Sequence, residues 1–527
     1  MAQYTTWEVI DGQHTTNVKV SEKVVVCKRK EVPGITLTIG MFFDGTGNNV
    51  FNTDKRLLGT CTNMDVGISS EDAESCAQKL DIDIDHAGSY LGYYSNIHWL
   101  NTLYKTDEEI KAEKATYQIA IYVQGIGTAK DEEDSLVSMG LGTLFEGVVA
   151  KTDEGVSLIS EQIERIINKG DGIPFAIEKI QFDVFGFSRG AAAARHFANR
   201  VLREDNAIQQ AINKGLNGRN HHGKPAGEVR FLGLFDTVCA VGSVTDLFNV
   251  HDGVNPGVEL ALPPGVAQQV FQITAMHECR YNFSLNSIKG SWPELALPGV
   301  HSDIGGGYNP SEREHLFLTR PVHETVDRDL PIEKTGIYQR AVAALPDLQT
   351  APNLRYILPT GKVKVEGWYD YLVNPDKQRK GITEKRVGAA VTLARIVPND
   401  WSKVTLRVML DAAKDAGVLF KEIQDNHKDL SLLPALEALC KKAINQGKTV
   451  RNGGVPVPFT HEELLLVGKY MHCSANWNPV KFKGVWLDGK KVRTIYGVVP
   501  FTQVFGFINI PNPEWKRSVW NMQGEKA

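Results

Sequence analysis

The chain has 527 residues, with 58 Lys and Arg against 62 Asp and Glu, giving a formal charge of −4. With 42% apolar and 23% charged residues its usage is that of ordinary globular domains, which excludes collagen-like, disordered and disulfide-scaffold classes. The near-neutral balance lacks the basic excess of a dedicated nucleic-acid binder, and a chain this long buries a sizeable core without staples.

Residues 1–13 are polar and lack the apolar core of a signal peptide. No stretch reaches the ~18 uncharged apolar residues needed to span a bilayer. The expectation is a soluble chain made in the cytoplasm. Seven scattered cysteines (Cys27, Cys61, Cys76, Cys239, Cys279, Cys440, Cys473) suit a reducing compartment. Cys61 and Cys76 could pair if the protein later met an oxidising one.

Residues 35–43 form an apolar, β-branched run ending at the loop signal Asp44-Gly45-Thr46-Gly47-Asn48-Asn49. Residues 117–124 (YQIAIYVQ) make a second run, ending at Gly125-Ile126-Gly127-Thr128. Residues 180–187 (IQFDVFGF) make a third, followed by the helix-compatible 190–204, and residues 229–235 a fourth, ending at Asp236-Thr237. Residues 295–300 lead into His301 and a glycine-rich loop. Strands separated by helices predict a parallel sheet with covered faces. The polar stretch 214–223 reads as a loop excursion.

Beyond residue 320 the texture changes. Residues 332–345 and 401–423 read as helices, the latter with Asn399-Asp400 at its N-terminus, and 356–381 as charged and irregular. Residues 480–510 are strand-like, with a hairpin turn at Leu487-Asp488-Gly489-Lys490. The fold class predicted is α/β, α/β-hydrolase-like: a mostly parallel central sheet with helices on both faces, plus an inserted or appended mainly helical module. The expected division is a catalytic core over 1–324, a helical cover or membrane-docking module over 325–465, and C-terminal strands over 466–527 returning to the core.

The sharpest local feature is Gly186-Phe187-Ser188-Arg189-Gly190, a G-x-S-x-G between an apolar strand and an alanine-rich helix. A nucleophile elbow needs that setting: the serine stands clear of the sheet on a tight turn, and the glycines let strand and helix approach. Without that role, the same residues would be a small-residue turn packing a helix on a sheet.

Serine becomes a nucleophile only when a histidine takes its proton and an acid orients that histidine. Asp236, closing a strand, stands where the acid belongs, although an Asx-turn or helix cap also suits it; Asp246 and Asp252 are the alternatives. His301, at a strand end before Gly305-Gly306-Gly307, is the candidate base, with His277 and His251 as competitors. His277, in a segment that reads as helical, looks structural. Backbone amides of Arg189, Gly45 and Thr46 are candidates for the oxyanion hole. A phosphate-binding loop at 45–47 would need a lysine that is absent. Asp44 or Asp303 could bind a metal, but no H-x-x-x-H or C-x-x-C spacing accompanies them, so no metal is expected.

The strings FFDGTGNN (42–49), VQGIGT (123–128), GFSRGAAAARHFANR (186–200), FLGLFDTV (231–238) and PGVHSDIGGGY (298–308) resemble those of the type VI secretion lipase effectors of the first subgroup. KYMHCSANWN (469–478) is similar to a late motif of the same family. The resemblance implies an α/β-hydrolase with Ser188 as nucleophile, Asp236 as acid and His301 as base. It further implies an antibacterial phospholipase A acting on membrane glycerophospholipids in a neighbour's periplasm, without a cofactor. Its implied partners are a VgrG-type spike for delivery and a periplasmic immunity protein, with no nucleic acid and only peripheral membrane contact.

Acyl-chain access calls for an apolar path under a mobile cover, for which 135–150 and 338–345 are candidates; core or surface helix is the plainer reading of both. Trp477, Trp486, Trp515 and Trp520 could dock at a membrane interface or simply be core. Phospholipase A1 is favoured over A2. A soluble carboxylesterase or thioesterase, or a non-catalytic interaction protein on the same fold, are the alternatives.

Overall fold

The structure, a computed structural model, describes residues 3–12, 24–58, 61, 70–80, 82, 87–111, 114–128, 130–132, 144–169, 174–219, 221–239, 257–371, 384–478, 485–487, 490–492 and 509–527. Among them, strands β1 (Gln3–Gly12), β2 (Val24–Phe43), β3 (Thr116–Val123), β4 (Ala176–Phe187), β5 (Glu228–Phe235), β6 (Gln269–Ala275), the two-residue β7 (Leu285–Asn286) and β8 (Glu294–Leu297) precede His301. All but β7 lie in one sheet. The second half of β2 pairs in parallel with β3 on one side and β4 on the other, and β5, β6 and β8 follow β4, all parallel. The first half of β2 instead carries β1 antiparallel.

Both sides of the sheet are apolar, which is why its strands read as nearly continuous hydrophobic runs. The alternation of β2 sends Ile39, Met41 and Phe43 to one face and Phe42 to the other, where Phe42 stacks on Phe185 at 5.2 Å. The helices before the sheet's midpoint are α1 (Val50–Leu58), α2 (Ser70–Lys79), α3 (Gly88–Leu91) and α4 (Asn96–Leu103); α5 (Leu144–Lys169), α6 (Arg189–Leu202) and α7 (Asn206–Leu216) follow. The face of Ile39 is covered by α5, α6 and α7.

The opposite face is covered by α4 and by helices from the C-terminal third. The short α8 (His301–Gly305), α9 (Gly336–Thr350), α10 (Asp400–Asp415), α11 (Pro434–Arg451) and α12 (His461–Val467) complete the α-helices among the described residues. α10 packs on α4, α8, β5 and β6, and α11 on α10 and β8. Trp401 of α10 is fully buried, its indole N–H donating to Pro298 O at 2.5 Å. The segment 325–465 therefore supplies half of the sheet's cover.

That segment also supplies two strands, with two more that begin just before it, to a second sheet, which the sequence reading missed. β9 (Ser311–Phe317), β10 (Val322–Asp327), β11 (Lys362–Tyr371) and β12 (Glu384–Pro398) pair antiparallel, with β12 central and α9 laid across it. Residues 362–371, expected to be irregular, are thus a strand whose charged residues Lys362, Lys364 and Glu366 alternate with Val363 and Val365. The helix expected to reach residue 423 ends at Asp415. There Gly417 takes φ +88° and the amides of Gly417 and Val418 return to Lys414 O and Ala413 O, a left-handed cap that stops the helix.

Residues 509–527 run back along the segment after β6. β15 (Val519–Trp520) pairs in parallel with β7, and the hairpin expected near 487–490 is formed by β13 (Val485–Leu487) and β14 (Lys490–Val492). Cys61 and Cys76 form a disulfide with Cα atoms 5.7 Å apart, while Cys239, Cys279, Cys440 and Cys473 are buried thiols. Residues 214–216 close α7, with Asn217 in the left-handed cap position, so the polar excursion is shorter than expected.

Candidate active site

In an open α/β sheet, ligands bind beyond the carboxyl ends of the strands where the strand order reverses. Here the chain leaves β2 for β3 on one side and crosses back to β4 on the other. The reversal therefore lies at the end of β2, where Asp44 to Gly47 meet the end of β4 at Ser188. Phe43 pairs with Gly186, and Phe187 with Phe235, so the ends of β2, β4 and β5 lie side by side.

Ser188 has φ 59° and ψ −125°, a conformation that costs a non-glycine residue about 1–3 kcal/mol. Packing imposes it. A Cβ on Gly186 would come 2.4 Å from Gly190 O, and one on Gly190 would come 2.3 Å from Asp44 O and 2.4 Å from Phe43 O. Both neighbours are backbone, so neither contact can be relieved by a rotamer change. Ala191 to Ala194 are fully buried and keep α6 close to the sheet. Gly190→Ala is accordingly expected to destabilise the fold by about 1–3 kcal/mol and to separate the Asp44–Thr46 loop from the elbow. Chemical denaturation and esterase activity, measured together, check this; an active variant of wild-type stability contradicts it.

Asp236 and His301 are brought into contact, with Nδ1 2.5 Å from Asp236 Oδ2. A carboxylate only accepts, so Nδ1 carries the proton and Nε2 is left as the basic nitrogen. Burial holds the imidazole below its usual pKa even though the Asp236 bond pulls it up, which keeps it neutral and able to receive a proton. Burial would raise the Asp236 carboxyl, but Arg517 and His301 outweigh it and hold the group well below the ordinary range. Asp236 also takes a positive φ of 44°, which aspartate tolerates better than most residues. Among the described residues the Ser188 side chain makes no hydrogen bond to Asp236 or His301; its backbone N–H donates to Phe235 O at 3.0 Å.

His301 is held from several sides. Its ring lies 4.6 Å from Phe187 and 5.0 Å from Phe283, and its backbone N–H donates to Glu278 Oε2 at 3.2 Å. Burial opposes ionisation of Glu278, but Arg280 beside it holds the carboxyl down at about 2. Ser474 Oγ donates to the same carboxylate at 3.0 Å. The turn before His301 uses Gly299 at φ +117°, where a Cβ would meet Asp303 at 2.7 Å. Asp303 in turn accepts from Val300 N–H and contacts His472 Nδ1 at 2.6 Å.

His277, expected in a helix, follows the end of β6. It is structural: its Nδ1 accepts from Gly299 N–H at 3.0 Å, and burial lowers its pKa to about 4. His251, Asp246 and Asp252 lie outside the described residues. Asp44 and Asp303, considered as metal ligands, are both engaged in hydrogen bonds.

The loop after β2 departs from expectation at Gly45. Its N–H donates to Asp44 Oδ1 at 2.7 Å, so it does not point at an incoming oxyanion as predicted. The amides of Arg189, in the first turn of α6 where N–H groups face out of the helix, and of Thr46 stay as candidates. Asp44 Oδ2 accepts from Tyr122 at 2.6 Å, and burial raises its pKa to about 6 despite the bonds from Tyr122, Ser95 and Gly45. A carboxyl raised from 3.8 to about 6 favours the fold fully below its unfolded pKa and loses that contribution as pH rises, by about 3 kcal/mol in all. Asp44→Asn should therefore gain stability relative to wild type between about pH 4 and pH 6 and hold a constant advantage above. Denaturant titrations at acid and neutral pH measure it; an advantage independent of pH contradicts the assignment.

A family model described as "T6SS, Phospholipase effector Tle1-like, catalytic domain" matches residues 199–326, which include Asp236 and His301. A solved structure, that of the Tle1 effector bound to the VgrG spike from the type VI secretion system, is 49% identical over 98% of this chain and 100% of its own, with a TM-score of 0.79. The chain belongs to the Tle1 family of type VI phospholipase effectors. An uncharacterized protein from Pseudomonas aeruginosa is 17% identical over 82% of this chain and 52% of its own, with a TM-score of 0.34, too loose to carry an argument. No curated protein matches.

Within this Tle1-family site, sequence reasoning missed Arg517, Glu278, Arg280, Ser474 and His472. The last two stand in the KYMHCSANWN string, noticed only as a resemblance, and Glu278 adjoins a histidine that was set aside. Arg517 carries no local signal: it is an ordinary basic residue near the chain's end.

Proposed function

We propose that the chain is a serine phospholipase A using Ser188 as nucleophile, His301 as base and Asp236 as orienting acid. The observation that carries this is the buried Asp236–His301 contact at the strand ends beside the Ser188 elbow. His301 Nε2 takes the Ser188 proton as Oγ attacks the acyl ester carbonyl. The developing oxyanion is met by the amides of Arg189 and Thr46, and the imidazolium then protonates the leaving glycerol oxygen. The lysophospholipid so formed departs, and water, deprotonated by the same imidazole, cleaves the acyl-enzyme to release the fatty acid and free Ser188.

The sn-1 ester is the preferred position in this reading, making the enzyme an A1. Delivery by a VgrG-type spike is supported by the complex solved for the 49% identical relative. Action in a target cell's periplasm and protection of kin by an immunity protein complete the reading. Among the described residues no helix is long and apolar enough to cross a membrane, and contact with lipid is taken to be peripheral.

The test is hydrolysis of phosphatidylethanolamine vesicles carrying distinct sn-1 and sn-2 chains, with products read by mass spectrometry. Release of the sn-1 chain alone is expected. Release of sn-2 alone would make the enzyme an A2, and activity confined to monomeric short-chain esters would favour a soluble carboxylesterase.

A further inference from the structure

Asp236 is fully buried, and its two oxygens meet four donors. Oδ1 accepts from Ala275 N–H at 2.9 Å and Arg517 Nη1 at 2.6 Å; Oδ2 accepts from His301 Nδ1 at 2.5 Å and Arg517 Nη2 at 2.8 Å. The Arg517 side chain is 7% exposed, and its Nε donates to Phe283 O at 2.6 Å. The backbone around it is laced to the segment after β6: Tyr281 N–H donates to Ile510 O, Asn512 N–H to Cys279 O and Leu285 N–H to Ser518 O. A guanidinium seated on both carboxylate oxygens removes the carboxylate's freedom to rotate, which a single-point cation cannot do.

We propose that Arg517 is a positioning residue of the triad: it holds the Asp236 carboxylate in the orientation that presents Oδ2 to His301, making the C-terminal segment a working part of the catalytic centre. This rests on the reading of Asp236 as the triad acid. The groups facing His301 are the carboxylates of Asp236 and Glu278, the Arg280 cation, and the rings of Phe187 and Phe283. Each carboxylate has its own arginine, Arg517 on Asp236 and Arg280 on Glu278. Removing Arg517 leaves Asp236 free to turn away from Nδ1 and leaves its charge unshared. The first effect lowers kcat; the second makes the imidazole more basic.

The experiment uses the full-length protein and a monomeric short-chain ester, so that interfacial steps do not intervene, with kcat and KM followed across pH. Arg517→Met is expected to lower kcat at least about tenfold with KM within about twofold, and to move the acid limb of kcat/KM up by about one pH unit. Arg517→Lys keeps the charge and loses the fork, so the limb returns to its wild-type position while kcat stays a few-fold low. Methylguanidinium should rescue kcat in Arg517→Gly. Wild-type kcat and limb in Arg517→Met overturn the proposal. So does a loss that only tracks the unfolded fraction, with the limb unmoved and no rescue. If Arg517→Met does not fold, wild-type kcat in Arg517→Lys overturns it instead. Activity retained in Ser188→Ala or Asp236→Asn sinks the triad reading itself; inert triad variants beside a wild-type-like Arg517→Met sink only the present inference.

Discussion

Ser188→Ala is expected to abolish ester hydrolysis, lowering kcat by about 10⁴- to 10⁶-fold, while the fold is retained. Both halves of the expectation come from the elbow. The serine hydroxyl makes no hydrogen bond to Asp236 or His301 among the described residues, so its removal breaks no bond between them. Alanine inherits the same φ of 59° and the same backbone strain as serine, and the glycines at 186 and 190 that enforce the turn are untouched. The midpoint of thermal unfolding should therefore stay within about 2 °C of wild type. The chemistry, by contrast, loses the oxygen proposed to form the acyl-enzyme. Vesicles of phosphatidylethanolamine with mass-spectrometric detection measure the first half and a melting curve the second. Wild-type acyl release by the variant would remove Ser188 from the mechanism.

What the sequence made legible is what local physics encodes. A strand buried on both faces must be apolar throughout, so β2, β3, β4 and β5 announce themselves. The elbow announces itself because two close backbone approaches leave room for nothing but glycine at 186 and 190. The meeting of Asp236 and His301 was legible because Asp236 directly follows β5 and His301 follows the short turn after β8. Tertiary partners carry no such mark. Arg517 lies 281 positions from Asp236, and nothing in its neighbours says that a strap will carry it there. β11 was hidden because one side of its sheet is solvated and its sequence alternates charge with valine, a pattern read as irregular. Gly417 did carry its signal, a glycine after a helical run, and the helix was nevertheless carried past it. Gly45 failed for a subtler reason: the glycine-rich bend was recognised, but the acid next to it competes for the amide.

Asp236→Asn should damage both catalysis and stability, which separates it from Ser188→Ala. The loss in kcat is expected near 10⁴-fold, about the effect of presenting an amide where the imidazole needs a carboxylate to hold its tautomer and stabilise its cation. The stability loss follows from burial. Asp236 is 0% exposed and Arg517 7% exposed, and removing one partner of a buried pair typically costs about 3–5 kcal/mol because the remaining charge is left uncompensated. The pH dependence follows from the sign of the shift. Burial is outweighed by Arg517 and His301, and the folded pKa lies below the unfolded 3.8. The ion pair's contribution is therefore fully present above the unfolded value and disappears as pH falls toward the folded one. Wild type and Asp236→Asn should differ by a constant amount from about pH 5 upward and converge only in strong acid. Denaturant unfolding across that range, run beside kcat at neutral pH, tests the two expectations independently. An active Asp236→Asn of reduced stability would leave the Arg517 pair as a structural bond and move the acid's role elsewhere. A variant that is inactive yet as stable as wild type would instead mean that Arg517 finds a new partner when the carboxylate is lost.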